Sequence, residues 1–432
     1  MNITVIGLGY VGLTNAVYLA KHHQVFGYDI DYKKITDLQE GKTFLIEKDL
    51  QRFLTNHRKN LKFGHEIEPM LVVSDVAILA VPTPEGNQGS IDLSVIEDSF
   101  QSILKFGKKG LIVLIRSTVI PGTQQHLVEL AKKQKRSDIK VVSLPEFLSL
   151  GHAIEDTLKP KRMVVGLDDL SLKSTILKIF QYPSSVPFIF TNPQTAELTK
   201  YASNGFLATK VSFINEMSQI AEKTGANIDD VVAGMGLDPR IGGHFLQPGI
   251  GFGGSCFPKD LKALHALANE HDIHNHLLPA TLSTNQDQVT QFMKRFLNRF
   301  KGDIKKKKIA VLGLSYKGST SDVRNSPAFH VIEMLTDQEA IIFAYDKFAT
   351  FDFFNVRGEK PCLAYAVELE DALKDADAAI IVNDAPELKN LKPSDFKNLM
   401  KSPIIFDGRN LFEPTNMKGI EYHSVGRPST KI

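Results

Sequence analysis

The residue best suited to covalent chemistry is a cysteine that follows a glycine-rich run, Gly251-Phe252-Gly253-Gly254-Ser255-Cys256. Glycines would let a ligand approach this cysteine closely, and Lys259 nearby would favour its thiolate, which is the nucleophilic form. The other cysteine, Cys362, has no such surroundings and is typical of a small buried apolar residue. The run therefore predicts a nucleophile at Cys256, and the alternative is a loop cysteine without a function.

A second motif with chemical meaning is Gly7-Leu8-Gly9-Tyr10-Val11-Gly12, which follows an apolar run and opens a helical pattern. In such a strand–turn–helix the first glycine permits the tight turn, the second lets a pyrophosphate approach, and the third allows close packing. Asp29 follows at the spacing that suits a ribose 2′-hydroxyl, and its charge would repel a 2′-phosphate. The motif predicts a dinucleotide site that prefers NAD to NADP, and a purely structural turn is the alternative.

A degenerate copy of this motif, Gly313-Leu314-Ser315-Tyr316-Lys317-Gly318, occurs in the last third of the chain. It keeps the strand and the turn but places Lys317 within the loop, and Arg324 follows. Lysine and arginine beside a strand-end turn suit phosphate binding by charge and by forked hydrogen bonds. An ordinary charged surface loop is the alternative interpretation.

The elements that must position these motifs are strands and helices that alternate along the chain. Short apolar runs such as NITVIGLG and SDVAILAVPTP alternate with helical patterns, which indicates a parallel sheet covered on both faces. Helical periodicity then dominates, and the last third repeats the first, with IAVLGLS matching ITVIGLG and Asp346 matching Asp29. We therefore predict an α/β protein with two doubly wound parallel-sheet domains, 1–192 and 301–432, joined by a helical domain, 193–300, that contains the cysteine loop.

Length and composition limit the class of protein. A chain of 432 residues is long enough for about three domains. The net charge of +2 provides no global field that would attract nucleic acid or an anionic membrane, and two distant cysteines do not suggest a secreted disulfide framework. The apolar first twenty residues lack a basic leader and contain the glycine turn, which is not typical of a signal peptide. These features predict a soluble, cytoplasmic protein without nucleic-acid or membrane partners.

The segments GLGYVG, STVIPGT, PEF, KYASNGFLATKVSFINE and GFGGSCFPKD together resemble the UDP-glucose dehydrogenase family, and the resemblance runs from Met1 to about Pro414. It implies a Rossmann NAD-binding domain, a central helical dimerisation domain and a Rossmann-like UDP-sugar-binding domain, assembled as a homodimer. It also implies an NAD-dependent four-electron oxidation of UDP-glucose to UDP-glucuronate, a polysaccharide precursor, through a thiohemiacetal and a thioester on Cys256. A thiolate is needed because an aldehyde loses hydride readily only as a tetrahedral adduct.

The resemblance also implies roles for individual residues. The implied catalytic residues are Cys256, Lys200, Asn204, Asp260, Glu146 and Thr118. The implied cofactor-binding residues are Gly7, Gly9, Tyr10, Val11, Gly12, Asp29, Lys34, Thr83, Thr118, Lys259 and Arg324. For UDP-glucose the family implicates Glu146, Phe147, Leu148, Lys200, Asn204, Arg240, Phe245, Gly253, Lys317 and Arg409, with Arg240 supplied by the neighbouring subunit. Lys200 and Asn204 are four residues apart and would share a helix face, although each residue singly fits an ordinary surface, capping or packing position.

One position departs from the family pattern. Leu150 stands where the family usually has a glutamate that helps to order cofactor or water. Glu146 and Cys256 are both kept, so the departure concerns the local hydrogen-bond network rather than the presence of the reacting groups.

Four histidines, His265, His271, His274 and His276, invite a metal interpretation. Their spacing matches no established zinc pattern and lacks a cysteine or carboxylate shell. We predict no metal, because the chemistry above needs none.

Three rival functions remain open from the sequence. A two-electron hydroxy-acid dehydrogenase shares the plan but has no need of the GGSC loop, so replacing Cys256 would leave full turnover. A regulator that has lost catalysis would bind NAD or a nucleotide sugar without forming NADH. An enzyme for an N-acetylated UDP-hexosamine would keep the mechanism and change only the sugar.

Overall fold

A computed structural model describes residues 1–428, which form two compact units. The first unit comprises Met1–Ser203 with Ala266–His271, and the second comprises Asn204–His265 and residues 272–428. The predicted division into three domains is not tested by this grouping and stays a prediction.

The first unit is built on an eight-stranded sheet with the strand order β3-β2-β1-β4-β5-β6-β7-β8. The strands are β1 (Asn2–Ile6), β2 (Gln24–Tyr28), β3 (Leu61–Gly64), β4 (Val76–Leu79), β5 (Ile112–Ile115), β6 (Lys140–Ser143), β7 (Met163–Gly166) and β8 (Phe188–Thr191). Neighbouring strands are parallel except for β6 and β7, which pair antiparallel at Ser143 and Gly166. The order reverses between β1 and β4, and such a switch point is where doubly wound sheets bind ligands.

Helices cover both faces of this sheet. They are α1 (Tyr10–Leu19), α2 (Tyr32–Gln39), α3 (Leu50–Asn56), α4 (Glu68–Val73), α5 (Ser94–Phe106), α6 (Thr123–Lys133), α7 (Ala153–Leu158) and α8 (Lys173–Phe180), with short 3₁₀ turns at Arg58–Asn60, Asn87–Gly89 and Leu170–Leu172. One apolar core packs α1, α2, α3 and α8 against the sheet, and a second packs α5 and α6 against it. Strands that are buried on both faces explain the continuous apolar runs in the sequence.

Long helices follow the first sheet. They are α9 (Pro193–Thr224), α10 (Ile228–Gly236), α11 (Phe257–Glu270) and α12 (Leu277–Arg299). At 32 residues α9 is about 48 Å long, given a rise of about 1.5 Å per residue. No helix within residues 1–428 combines the length and the apolar character needed to span a membrane.

The second unit contains a six-stranded parallel sheet with the order β11-β10-β9-β12-β13-β14. Its strands are β9 (Lys308–Leu312), β10 (Ile341–Tyr345), β11 (Leu363–Tyr365), β12 (Ala378–Ile381), β13 (Ile404–Asp407) and β14 (Glu421–His423), and its further helices are α13 (Pro327–Asp337), α14 (Thr350–Arg357), α15 (Leu369–Leu373), α16 (Pro386–Lys389) and α17 (Pro393–Leu399), with a 3₁₀ turn at Pro414–Asn416. The first six strands of the first sheet and all six of this one are arranged in the same way, which confirms the predicted repeat.

Candidate active site

The turn between β1 and α1 contains three glycines, of which two are closely packed and one borders open space. Gly7 has a φ of +88°, and a Cβ at this residue would lie 2.6 Å from the carbonyl oxygen of Ala80. A Cβ at Gly12 would lie 1.8 Å from the carbonyl oxygen of Gly7, whereas a Cβ at Gly9 would meet nothing within 4 Å. Open space at the second glycine, beside the start of α1 at Tyr10, is what the approach of a pyrophosphate requires.

Asp29 directly follows β2 and lies beside this turn. Its carboxylate accepts hydrogen bonds from the backbone N–H of Leu8 (2.8 Å) and of Asp31 (3.0 Å). Lys34, on α2, has its ammonium nitrogen 3.7 Å from the same carboxylate. The predicted cofactor residues of this region therefore lie around one turn, and their arrangement fits a dinucleotide with a free ribose 2′-hydroxyl.

Alanine substitutions at Gly9 and Gly12 should separate binding from folding. Gly9 has a φ of −71°, which alanine adopts without strain, so Gly9→Ala should keep stability within about 1 kcal/mol. Its methyl group enters the pyrophosphate path, and we expect the Kd for NAD to rise at least about tenfold. Gly12→Ala should destabilise the protein by about 2 kcal/mol, because its methyl overlaps a backbone carbonyl. Calorimetric titration with NAD and thermal unfolding measure the two effects, and unchanged NAD binding by Gly9→Ala would contradict this location.

Glu146 and Lys200 form a buried ion pair in the first unit. Glu146 lies just beyond β6 and Lys200 lies in α9, and the Lys200 ammonium donates to the Glu146 Oε1 over 3.2 Å. The other oxygen of Glu146 accepts the backbone N–H of Leu148. The ring of Phe147 is 5.6 Å from the Lys200 ammonium and 3.9 Å from the Arg162 guanidinium. The structure thus brings Lys200 of α9 to the segment 146–148 after β6, and all four of these residues belong to the predicted substrate-binding set.

Thr83 and Thr118 lie at the ends of neighbouring strands. The Thr83 hydroxyl donates to the carbonyl oxygen of Thr118 over 2.9 Å. Thr83 follows β4 and Thr118 follows β5, so both are at the carboxyl edge of the sheet, where such folds place their ligands.

Arg116 is a residue of this region that the sequence analysis did not single out. It ends the apolar segment of β5 and is buried, and its guanidinium donates to the carbonyl oxygens of Leu144 and Pro145, each over 3.1 Å. Desolvation by burial lowers the pKa of Arg116 from its usual value. A cavity of about 60 Å³ lies beside Arg116 and Glu146. The sequence did contain a signal for Arg116, because an arginine directly follows the apolar run of β5. A cation at the end of a buried strand is rarely buried without partners.

The loop around Leu150 is held by carboxylates from elsewhere in the first unit. Glu47 accepts hydrogen bonds from the backbone N–H groups of Gly151 and Ala153. Asp156 accepts the backbone N–H of Ser149 over 2.9 Å. The loop after Glu146 is therefore anchored by side-chain carboxylates although Leu150 itself is apolar.

In the second unit, the glycines before Cys256 pack against the unit's own backbone. Gly251 has a φ of +116°, and a Cβ at Gly253 would lie 2.2 Å from the carbonyl oxygen of Asn325. The backbone N–H of Gly254 donates to the carbonyl oxygen of Arg324 over 2.8 Å. These glycines shape the loop itself, whereas the sequence interpretation gave them only the role of admitting a ligand.

Cys256 is exposed and immediately precedes α11, and its carbonyl oxygen accepts the N–H of Asp260 over 2.8 Å. The start of a helix favours negative charge, and therefore a thiolate. The charge of Arg324 also interacts with Cys256, as one of the smaller contributions to a raised pKa of Arg324 that comes chiefly from its hydrogen bond to Asp322. Lys259, which was expected to favour the thiolate, has its ammonium 2.8 Å from the carboxylate of Asp260, and its effect on the thiol stays a prediction.

Asp260, in the first turn of α11, is a buried carboxylate with a second partner in α9. The Asn204 amide donates to its Oδ2 over 2.6 Å, while Lys259 contacts its Oδ1. Asn204 belongs to the second unit and Lys200 to the first.

The remaining predicted sugar-nucleotide residues lie in several loops of the second unit. Arg409 follows β13 and donates to the carbonyl oxygens of Val382 (2.8 Å) and Tyr316 (3.3 Å). Lys317 lies in the loop after β9, and its carbonyl oxygen accepts the Ser315 hydroxyl. The Phe245 ring is partly exposed, with its centroid 6.1 Å from that of Phe257, and its backbone is left-handed at a φ of +63°. Arg240 is 87% exposed and pairs with Asp238 two residues before it.

The degenerate glycine turn after β9 is filled by the unit's own side chains. Asp346, the counterpart of Asp29, accepts hydrogen bonds at one carboxylate oxygen from the N–H of Leu314, the N–H and hydroxyl of Ser315, and the Asn383 amide. A Cβ at Gly313 would lie 2.4 Å from the Asn383 side chain. Ser315 stands at the position that corresponds to Gly9. This turn therefore lacks the open space through which a pyrophosphate could approach the backbone at Gly9.

The histidine segment near α11 contains no metal-type cluster in the part of the chain that the structure describes. No group of three or more histidine, cysteine, aspartate or glutamate side chains is arranged to hold a metal ion within residues 1–428. His265 instead hydrogen-bonds the Asn275 side chain over 2.7 Å. The prediction that the reaction needs no metal remains a prediction.

An open dinucleotide turn and an exposed thiol are features of an NAD-dependent dehydrogenase with a covalent step, and known proteins define the class further. Residues 1–183 match the NAD binding domain of the UDP-glucose/GDP-mannose dehydrogenase family, 194–287 its central domain, and 310–414 its UDP binding domain. The chain therefore belongs to the UDP-glucose/GDP-mannose dehydrogenase family and is an NAD-dependent oxidoreductase. The predicted family and cofactor are confirmed.

Individual relatives agree with this assignment over their whole length. The chain is 40% identical to UDP-glucose 6-dehydrogenase YwqF of Bacillus subtilis, covering 99% of this chain and 98% of that one, and 37% identical to UDP-glucose 6-dehydrogenase of Rickettsia conorii, covering 99% of each. A UDP-glucose dehydrogenase structure from Pyrobaculum islandicum matches with a TM-score of 0.90 at 31% identity, covering 99% of this chain and 98% of that one. A UDP-D-ManNAc dehydrogenase structure from Pyrococcus horikoshii matches with a TM-score of 0.86 at 28% identity, covering 99% of each. The predicted fold class is confirmed.

Proposed function

We propose that the protein oxidises the C6 alcohol of UDP-glucose to the carboxylate of UDP-glucuronate through a covalent intermediate on Cys256. The balanced reaction converts one UDP-glucose, two NAD⁺ and one water to UDP-glucuronate, two NADH and three protons, with each NAD⁺ accepting one hydride. The relatives named UDP-glucose 6-dehydrogenase support this substrate, because they match along the full length of the chain.

The observation that carries the proposal is the placement of Cys256. Its thiol is exposed, it precedes the first residue of α11, and the charge of Arg324 acts on it. Each of these features favours an accessible thiolate. The thiolate adds to the C6 aldehyde to give a thiohemiacetal, and it leaves when water cleaves the thioester formed by the second oxidation.

The polar groups of the two units have roles that suit their contacts. In the first unit Lys200 is a buried cation that can stabilise an alkoxide, and its partner Glu146 can accept a proton or orient water. In the second unit Asp260 accepts hydrogen bonds from Asn204 and Lys259, and its carboxylate can also accept a hydrogen bond from a water. In the first unit, Thr118 is a further group that can hold a water. The base of the first step is either Lys200 or a water held by Asp260.

Counting the NADH formed per sugar consumed tests the proposal directly. With limiting UDP-glucose and excess NAD⁺, two NADH per sugar are expected from absorbance and from quantification of the product. One NADH per sugar would indicate a two-electron dehydrogenase, and none would indicate another substrate or a binding protein without catalysis.

A second candidate substrate is an N-acetylated UDP-hexosamine, favoured by the similarity to the Pyrococcus horikoshii UDP-D-ManNAc dehydrogenase. The mechanism on Cys256 would be unchanged, and only the sugar would differ. Comparing kcat/KM for UDP-glucose with that for UDP-N-acetylmannosamine, at equal enzyme and NAD⁺, separates the two. The UDP-glucose assignment fails if the acetylated sugar is the better substrate.

The working assembly that we propose is a homodimer formed through the central helices. Phe206, Phe213 and Ile220 recur every seven residues along α9, and all three are exposed, Phe206 by 67%. Apolar residues two helical turns apart form a stripe that a second helix can cover. Arg240 belongs to the same unit and extends into solvent, which supports its predicted role in the site of the partner subunit.

Mixing two inactive variants should restore activity if Arg240 acts across the dimer. A heterodimer of Cys256→Ser and Arg240→Ala subunits has one site with both the thiol and an intact partner arginine. Random exchange makes half of the dimers mixed, so about a quarter of the wild-type activity should return at low UDP-glucose. Activity is measured after co-refolding, with each variant alone as the control. Absence of recovery, with exchange verified by mass-tagged subunits, would place Arg240 in its own subunit's site or outside both.

The location that we propose is the cytoplasm. Two free cysteines, neither in a disulfide, suit a reducing compartment. Fractionation of cells that produce the protein would test this location.

A further inference from the structure

A buried carboxylate on α9, Glu197, joins three segments of the first unit. It is 2% exposed, although it lies in a helix that the sequence analysis examined only for Lys200 and Asn204. One of its oxygens accepts the backbone N–H of Gly122 over 2.8 Å. The other accepts the N–H of Gln124 over 3.0 Å and the hydroxyl of Ser143 over 2.7 Å. A side chain of an unrelated element thus provides the first turn of α6 with its acceptor, where no local side chain caps the helix.

Each segment that Glu197 contacts leads directly to a residue of the proposed chemistry. Gly122 ends the turn that begins at Thr118, four residues earlier. Ser143 is the last residue of β6, three residues before Glu146. Lys200 lies three residues after Glu197 in α9, which is almost one helical turn.

The competing explanation is that Glu197 only caps α6 and so only stabilises the fold. The cost of burying its charge argues against this explanation. Burial raises the pKa of Glu197, mainly through desolvation, so the ionised form is held in an environment that disfavours it. A neutral amide of the same shape would avoid that penalty. A carboxylate retained at such a position is better explained by its two equivalent oxygens, which accept from three donors at fixed positions.

We propose that Glu197 is a positioning residue that fixes Thr118, Glu146 and Lys200 relative to one another. The proposal rests on the roles given to those three residues above. Glu197 contacts neither substrate nor cofactor in this scheme. It acts because its carboxylate holds the turn before α6, the end of β6 and the first part of α9 in one geometry, and errors of about 1 Å in such geometry cost rates by large factors.

The test is the isosteric variant Glu197→Gln, compared with Glu222→Gln. Glutamine has one acceptor oxygen, so in either orientation its NH₂ group must face a backbone N–H, that of Gly122 or that of Gln124. We expect kcat to fall at least about tenfold, with the Kd for NAD within about threefold of wild type, because the glycine turn is untouched. Glu222 lies on the same helix, accepts the N–H of Gly426 over 2.9 Å and pairs with Arg295. Its glutamine variant should lose comparable thermal stability and keep kcat.

A milder variant keeps the proposal testable if Glu197→Gln does not fold. Ser143→Ala removes one of the three donors and leaves the carboxylate, so kcat should fall by about threefold, in line with one modest hydrogen bond. An active wild type with an unchanged kcat in folded Glu197→Gln would overturn the proposal. The proposal would also be overturned if the activity of Glu197→Gln fell only in proportion to its unfolded fraction. That is the result expected for Glu222→Gln. A wild type that forms no NADH from UDP-glucose would instead refute the proposed function.

Discussion

Replacing Cys256 by serine is expected to lower the steady-state rate of NADH formation from UDP-glucose by at least about a thousandfold. A serine hydroxyl at the start of α11 stays protonated at neutral pH, since its pKa lies far above that of a thiol. It forms neither a stable adduct with the C6 aldehyde nor a thioester that water can cleave. The geometry of the loop should be preserved, because serine is close in size to cysteine.

The matched control for this variant is Cys362→Ser. Cys362 is partly buried in the second unit, far along the chain from the glycine loop, and its replacement should leave kcat unchanged. Intact-mass spectrometry of the wild type, quenched during turnover, should detect an added sugar-nucleotide mass that the Cys256→Ser variant lacks. A Cys256→Ser enzyme with full turnover would refute the covalent route and favour the two-electron alternative.

Removing Lys200 is expected to damage both stability and catalysis. Lys200 and Glu146 are almost fully buried, with side chains 5% and 9% exposed. Lys200→Met leaves the Glu146 carboxylate without its cation in a poorly solvated position, which costs about 3 kcal/mol in the free energy of unfolding. Loss of a cation beside the developing alkoxide should lower kcat by about a hundredfold or more.

A double-mutant cycle separates these two effects. The pair Lys200→Met with Glu146→Gln should recover part of the lost stability, because neither charge of the ion pair remains, although buried Arg116 loses its interaction with the Glu146 carboxylate. The double variant should stay inactive. Denaturant unfolding and kcat are measured for all four proteins. The exposed pair Lys305–Glu339, with side chains 59% and 68% exposed, is the control, and its disruption should cost less than about 1 kcal/mol. Catalysis that returns with stability in the double variant would show that Lys200 is only structural.

Much of the fold could be predicted because both sheets are buried and repeat one pattern. Continuous apolar runs marked β1, β4 and β5, and the aspartates after β2 and β10 revealed the duplication. Strands β3 and β8 were not singled out, because each lies at an edge of the sheet and is only partly buried, so neither has a continuous buried apolar run. The antiparallel pairing of β6 with β7 was also beyond the sequence, because an apolar run has no directional signal.

The candidate site could be predicted only where a motif fixes the backbone. Other backbone atoms lie too close to Gly7 and Gly12 for a side chain, and the space beside Gly9 must stay open for a ligand. The residue type and spacing of the three glycines are therefore informative on their own. Arg116 and Glu197 act through contacts distant in sequence, and no local motif marks them. The available signal for Glu197 was its spacing: Glu197, Lys200 and Asn204 are polar residues at i, i+3 and i+7 of one helix, and all three are buried.

The two glycine turns differ in what completes their hydrogen bonding. In the second unit the side chains of Asp346 and Asn383 fill the turn and hydrogen-bond within it, so this turn leaves no space for a dinucleotide. The turn at Gly9 leaves open space beside its second glycine, where the pyrophosphate of a dinucleotide can bind. By mass action, a hundredfold excess of NAD over its Kd adds about 2.7 kcal/mol to the stability of the state that binds it. The resistance of the first unit to unfolding and proteolysis therefore follows the nicotinamide pool of its surroundings, whereas the turn after β9 is indifferent to that pool.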